Sequence, residues 1–299
     1  MEEFKTSDLK KLYVPASNSH KGQNGKLMVI GGSVLFHAAS LWSLKIASRI
    51  VDMVFYSSLD ANNKIVQKEK EEFKDGIIVP RDKIEHYIDE ADVVLIGPGL
   101  PREEGVEKGD DDTKILTETL LQKYKNKKWV IDGGSLQTID LEFIPRNAIL
   151  TPHHKEFSKL FNFQFPIFPA SPKLRGASNF QSNPNEQMSQ IQNKVSEMAK
   201  KFNCTILLKG EIDVVSNGTK TVQVKGGNAG MTKGGTGDVL AGLVAALYCK
   251  NDEFLSASCG SYINKKAGES LYKKVGLYFN SSDLVDEIPV VMKNLVLTS

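Results

Sequence analysis

Short apolar runs recur along the first half of the chain, each closed by a glycine-rich or polar turn and followed by a stretch with helical spacing. Lys26–Ile30 predicts a strand that ends in Gly31-Gly-Ser33, and helical periodicity follows over Ala38–Ile50. Asp52–Tyr56, Ile77–Val79, Ala91–Ile96, Trp129–Ile131 and Ala148–Leu150 repeat the strand pattern. Their closing turns include Gly97-Pro-Gly99, Asp132-Gly-Gly-Ser135 and Thr151-Pro-His153, and Thr113–Lys125 predicts a helix. Strand, turn and helix in alternation predict a mostly parallel α/β sheet with ligands at the carboxyl ends of its strands. The first turn lacks G-x-G-x-x-G, so it resembles a dinucleotide fold only loosely.

The pattern changes later. Gln187–Phe202 has helical spacing, Cys204–Leu208 reads as a buried strand, and Ile212–Val215 and Thr219–Val224 flank Asn217-Gly218. That dipeptide suits a two-residue type I′ turn, so an antiparallel hairpin should make the sheet mixed. Helices are predicted at Asp238–Tyr248, Glu253–Lys274 and Ser281–Asn294, the first with almost no polar face and so buried against the sheet. Residues 1–20 read as a polar lead-in, 102–112 as a solvated acidic loop, and 162–190 as an irregular surface insertion and candidate lid. No repeat or linker interrupts the series, which predicts one domain over residues 1–299.

Composition narrows the class of protein. The 299 residues are 40% hydrophobic and 25% charged, as expected of one globular core near its upper size limit. A net charge of +2 gives no electrostatic case for nucleic acid or a membrane surface. Cys204, Cys249 and Cys259 form neither a disulfide framework nor a metal-ligand spacing. Without an apolar leader or a run long enough to span a bilayer, the expected location is the cytoplasm.

The candidate chemistry lies in Gly226–Asp238, where six glycines in thirteen residues lead into a run of apolar positions. Glycine lets backbone N–H groups approach a ligand, and a helix starting near Thr236 would add its unpaired N–H groups and positive dipole end. Together these make an anion site. Asp238 would repel a resting phosphate. It makes sense as the base for a hydroxyl that attacks a phosphoryl group while the N–H groups hold the developing charge. The plainer alternative is a capping residue after a turn. No Gly-Lys-Ser/Thr closes the loop, so it is not a Walker A loop. His153 and His154 are adjacent and cannot share a metal face on a helix. Their plain reading is a helix start, with Glu156 in its first turn.

An ordered series of short motifs resembles the stand-alone ADP/ATP-dependent NAD(P)H-hydrate dehydratases of the ribokinase-like superfamily. It comprises Ser19-His-Lys-Gly22 with Gly25, Val29–Ser33, Ile96–Leu100, Leu150–His153 with Glu156-Phe157, and Leu208–Gly210. Gly227-Asn-Ala-Gly-Met231, Gly234–Gly242, Ser282-Asp-Leu284 and Ile288-Pro289 complete it. The resemblance implies a ribokinase-like three-layer α/β/α fold and a repair reaction. In that reaction ADP or ATP phosphorylates the ring hydroxyl of hydrated NADH or NADPH, and loss of phosphate restores the cofactor. It implies Asp238 as base and substrate contact, with Gly235, Thr236 and Gly237 on the phosphoryl group. It places hydrated cofactor at Ala39, Gly99 and His153, and adenine nucleotide at Lys209, Gly210, Glu211, Ile212 and Asp213 with Gly237. Magnesium is implied on the phosphates with no protein ligand assigned, ADP is the favoured donor, and a homo-oligomer, a tetramer by analogy, is the implied assembly.

The chain departs from the family pattern at His37-Ala38-Ala39, where Pro-Gly-Ala is usual. It also has Asp132-Gly-Gly-Ser-Leu136 where Asp-Ala-Asp-Ala-Leu is usual, and His154-Lys155-Glu156 in place of x-Gly-Glu. Two other readings share the loop: a ribokinase-like kinase of a vitamin-precursor alcohol, whose phosphorylated product would persist, and a nucleotide-binding module without turnover.

Overall fold

The structure is a computed structural model and describes residues 2–102, 105–165 and 184–297. Nine strands form one sheet: β1 (Lys26–Ile30), β2 (Met53–Ser57), β3 (Ile77–Ile78), β4 (Val93–Ile96), β5 (Lys128–Ile131), β6 (Ile149–Leu150), β7 (Thr205–Leu208), β8 (Asp213–Ser216) and β9 (Thr221–Val224). Their spatial order is β3-β2-β1-β4-β5-β6-β7-β8-β9. Pairing is parallel from β3 to β7 and antiparallel from β7 through β8 to β9, the predicted mixed sheet.

The helices are α1 (His37–Ala47), α2 (Asp60–Glu69), α3 (Ile84–Glu90), α4 (Thr113–Lys123), α5 (Gly133–Thr138), α6 (His154–Phe161), α7 (Pro184–Phe202), α8 (Thr236–Tyr248), α9 (Glu253–Val275) and α10 (Ser281–Met292). Alternate strand residues face opposite layers. Met28, Ile30, Val94, Ile96, Trp129 and Ile131 pack with α3 to α7. Leu27, Val29, Val93, Leu95 and Val130 pack with α1, α2 and α8. The central strands are therefore buried on both faces, which is why their sequence is continuously apolar rather than alternating. Behind α8, a further apolar layer joins it to α9 and α10 through Leu243, Ile263 and Ile288.

Three expectations need correction. The residue 1–20 lead-in is not merely polar: Phe4 bonds to the edge strand at Gln223, and Leu9 and Leu12 are buried among α9 and α10 residues. The hairpin turn is a four-residue loop, 217–220, in which only Gly218 has a left-handed backbone. Asn217 Oδ1 accepts from the amides of Thr219 (3.0 Å) and Lys220 (2.8 Å), so a side chain closes the loop in place of the primed turn. The acidic loop is not simply solvated. Asp110 accepts from Val34 N (2.8 Å), Asp111 pairs with Arg81 (2.5 Å), and Asp112 caps α4 through Ile115 N. Of the 162–190 insertion, α7 already begins at Pro184, and the expected lid otherwise falls largely outside the described residues.

Candidate active site

The turns after β1, β4, β5, β6 and β7 and the start of α8 converge on one side of the sheet. Gly99 has φ +72°, and a methyl group there would lie 2.5 Å from Phe36 O and 2.9 Å from the Ala39 side chain. The turn after β4 therefore touches the start of α1, bringing two expected substrate positions together. One turn along α1, Ser43 Oγ donates to Asp238 O (2.8 Å), linking Ala39 and Gly99 to the first turn of α8. His37, where the family has Pro, opens α1, and Ala39 stands in the first turn of that helix.

Gly235 sits at the N-cap of α8 with φ +93°. A Cβ there would stand 2.2 Å from the Trp42 ring, and Ser281 Oγ fixes the loop by donating to Gly234 O (2.8 Å). Thr236 Oγ1 donates to Met231 O (2.7 Å), and Lys233 Nζ donates to the carbonyls of Leu277 and Phe279. The loop is thus held from α1, α10 and its own backbone. Its glycines make room for close packing and leave the first amides of α8 facing the turn.

Behind the loop lies a charged cluster. Lys209 Nζ donates to Asp132 Oδ1 (2.8 Å), and Thr151 Oγ1 donates to the same oxygen (2.7 Å). A methyl group on Gly237 would lie 3.4 Å from Lys209 Nζ, so this ammonium stands beside the α8 terminus. Burial and the neighbouring Asp132 carboxylate push the Asp238 carboxyl up to about 7, against the opposing pull of Lys209. Burial works to lower Lys209, but Asp132, Glu156 and Asp238 outweigh it and hold the lysine above its ordinary value. Gly134, which replaces the family's second acid, has no room for a side chain, because a Cβ would meet Leu100 O at 2.3 Å. Asp132 accepts from Lys209 and Thr151 at this turn, and Ser135 Oγ bonds Thr117 Oγ1 (2.8 Å).

His153 is the N-cap of α6. Its Nδ1 accepts from Glu156 N (3.1 Å), while Glu156 Oε2 accepts from His153 N (2.9 Å), a reciprocal capping box. The helix-start reading of the His pair is correct. Because Nδ1 accepts, the neutral ring carries its proton on Nε2. Backbone pairing sets His153 beside Lys209, and Lys209 N donates to Pro152 O (2.8 Å).

The segment Lys209–Asp213 is fastened from α9. Gly210 N donates to Asp213 Oδ1 (2.8 Å), and Ser261 Oγ donates to Asp213 Oδ2 (2.7 Å). Lys265 Nζ reaches the carbonyls of Gly210 (3.1 Å), Glu211 (3.0 Å) and Gly226 (3.4 Å), with Asp213 at 3.3 Å. One buried lysine thereby joins the two strips of backbone that border the glycine-rich loop. Sequence reasoning missed Lys265, Ser261, Trp42, Thr151 and Asp132. For Asp132 the available signal was an acid immediately after a buried strand. For Lys265 a polar residue in a helix gave none.

The sequence model of the family described as NAD(P)H-hydrate dehydratase matches residues 27–290. The chain belongs to this family. The ADP-dependent (S)-NAD(P)H-hydrate dehydratase of Nitrosopumilus maritimus is 33% identical over 303 residues, covering 96% of each chain. The bifunctional NAD(P)H-hydrate repair enzyme Nnr of Methanocaldococcus jannaschii is 36% identical over 297 residues. That match covers 96% of this chain but 52% of the relative, so the chain spans about half the length of the bifunctional protein. In fold, the chain resembles the ADP/ATP-dependent NAD(P)H-hydrate dehydratase of Bacillus subtilis co-crystallised with ATP/Mg2+. The TM-score is 0.74 at 20% identity, with 98% of each chain covered. A ribokinase-like superfamily protein of Enterococcus faecalis gives a TM-score of 0.79 at 22% identity, covering 99% of this chain and 96% of that one. The candidate site lies at the strand ends and the start of α8.

Proposed function

We propose that the protein repairs hydrated nicotinamide cofactors, converting (S)-NAD(P)H hydrate to NAD(P)H with consumption of ADP, or of ATP. The observation that carries this reading is Asp238 at the start of α8, with the glycine loop and Lys209 beside it in a chain that belongs to the dehydratase family. The ring hydroxyl gives its proton to Asp238 as its oxygen forms a bond to the terminal phosphorus of the nucleotide. The bond from that phosphorus to the nucleotide's bridging oxygen breaks, and its electron pair stays with the nucleotide. The phosphorylated ring then loses phosphate with the C–O electron pair and a ring proton, which restores the double bond. The transferring group is placed against the amides of Gly235, Thr236 and Gly237, where preorganised donors matter most; the Thr236 amide, which donates to Lys233 O (3.4 Å), must turn from that carbonyl to join them.

Hydrated cofactor is placed against Ala39, Gly99 and His153, and the nucleotide along Lys209–Asp213. The carboxylates of Asp132 and Glu156 are engaged by Lys209, Thr151, Gln137 and the α6 cap. Among the described residues no group of three or more His, Cys, Asp or Glu is placed to hold a metal ion. Magnesium is therefore proposed to enter on the nucleotide phosphates, as part of that substrate.

The test is nucleotide-dependent recovery of the near-ultraviolet absorbance of reduced nicotinamide, from hydrated NADH and magnesium with ADP and then with ATP. Recovery supports the reading and identifies the donor. A flat trace from folded protein that binds nucleotide removes it, and a persistent phosphorylated product would favour the alcohol-kinase reading.

Substitutions at two residues probe the binding assignments. His153→Ala should cost about 1 kcal/mol through loss of the α6 cap and raise the KM for hydrated cofactor by about tenfold, the size of one hydrogen bond. His153→Asn should restore the cap, seen as recovered Tm, without restoring KM. If both variants keep the native KM, His153 is a cap alone. Lys265→Met should destabilise the fold by about 3–5 kcal/mol, because it strands the buried Asp213 carboxylate. It should also weaken nucleotide binding while hydrated-cofactor binding holds. Titration calorimetry with each ligand checks this, and unchanged nucleotide affinity in the variant would refute it.

A further inference from the structure

Lys209 Nζ is paired with the Asp132 carboxylate beside the first turn of α8. The Lys209 side chain is 18% exposed and that of Asp132 only 3%. Thr151 shares the Asp132 oxygen, so three strand ends converge there: Asp132 follows β5, Thr151 follows β6 and Lys209 follows β7. Asp132 is locked from its backbone too, since Asp132 N donates to Ile96 O (3.0 Å), and a Cβ on Gly97 would overlap Asp132 O. A Cβ on Gly237, the residue before Asp238, would stand 3.4 Å from Lys209 Nζ.

We propose that Asp132 and Lys209 are positioning residues: Asp132 anchors the Lys209 ammonium beside the start of α8, and the two opposed charges together tune Asp238 as base for the substrate hydroxyl. This rests on the reading of Asp238 as the base. The charges that act on Asp238 are Asp132 at the start of α5, Glu156 in α6 and Lys209 after β7; its own amide also donates to the carboxylate, and from α1 Ser43 binds only its backbone carbonyl. Without Lys209, three carboxylates would share one enclosed site and Asp238 would hold its proton. Without Asp132, Lys209 would be free to pair fully with Asp238 and weaken it as a base. When the hydroxyl proton passes to Asp238 and the oxygen bonds to phosphorus, Asp238 loses its charge.

The test is the pH dependence of kcat/KM for hydrated NADH at saturating ADP, in the wild type, Asp132→Asn, Lys209→Met and Lys209→Arg. The wild type should show an acid limb near 7. The limb should fall by about one pH unit in Asp132→Asn and rise by about one unit in Lys209→Met, because the two charges act on Asp238 in opposite senses. Lys209→Arg should keep the wild-type limb. A pair that serves only structure would lower rates equally at every pH. A stationary limb in both charge-removing variants, or movement in the same direction, overturns the proposal. If Lys209→Met does not fold, Asp132→Asn decides it alone, with a stationary limb overturning it. Absence of nucleotide-dependent turnover in the wild type at any pH is a separate failure, that of the proposed function, and removes the inference with it.

Discussion

Asp238→Asn lowers turnover by about 10²–10⁴-fold, the usual worth of a positioned general base, while nucleotide binding is retained or tightened. Asn keeps the size and polarity of the side chain at the first turn of α8 but does not accept a proton. It also removes a negative charge that faces Asp132 and Glu156 and would repel phosphate. Helix-dipole stabilisation is lost at roughly 0.3–1 kcal/mol, a small change beside the kinetic one. The wild-type kcat/KM falls below about 7, where the raised Asp238 carboxyl takes up its proton, and the variant has no such limb. Single-turnover kinetics with hydrated NADH and ADP, together with titration calorimetry of the nucleotide, check both halves. A variant within about tenfold of the native rate would show that Asp238 is not the base, since a base contributes more than that.

Gly235→Ala is the second large effect, and it acts through shape. The left-handed backbone at φ +93° costs an alanine roughly 1–2 kcal/mol. The added carbon would meet the Trp42 ring at 2.2 Å and Ser281 Oγ at 2.6 Å, so the loop or Trp42 must move. Trp42 is itself tied to α10 by its indole N–H, which donates to Ser282 Oγ (3.1 Å), and this makes movement of the loop the easier response. Displacing the amides at the start of α8 should cost about 10²–10³ in kcat, the penalty for losing preorganised donors, with a lowered Tm. Gly234→Ala is the matched control. Its backbone is not left-handed and a Cβ there meets nothing within 4 Å, so it should keep near-native kcat and Tm. If the two variants behave alike, the geometry of Gly235 is not what the chemistry needs.

Much of this site was readable along the chain because its parts are local. The α6 cap is a contact between residues three apart, and Glu156 in the first turn announced it. The left-handed and tightly packed glycines at Gly99 and Gly235 were visible as glycine-rich turns, since close approach of backbone removes room for a side chain. The burial of α8 followed from its lack of a polar face. By contrast, the type I′ turn at Asn217-Gly218 failed although the dipeptide favours it. The Asn217 side chain closes a longer loop, and Gly218 packs against the Lys200 backbone of α7, a neighbour that is distant in sequence. Leu9 and Leu12 were likewise read as part of a polar segment until α9 and α10 supplied the surface that buries them.

The sequence by itself missed α2 and α3 and read the start of α5 as a turn, but it determined the order of the strands, the late hairpin and the glycine-lined start of α8. Each of these depends on side-chain volume, backbone freedom and periodicity over a few neighbouring residues. Only the tertiary structure decided that Asp132 meets Lys209 across a separation of 77 residues, and that Lys265 fastens Gly210 from 55 residues away. Those meetings follow from β5, β6 and β7 lying side by side and from α9 packing against β7, β8 and β9. Charge acts through space, so what surrounds Asp238 is set by which strand ends the sheet brings together.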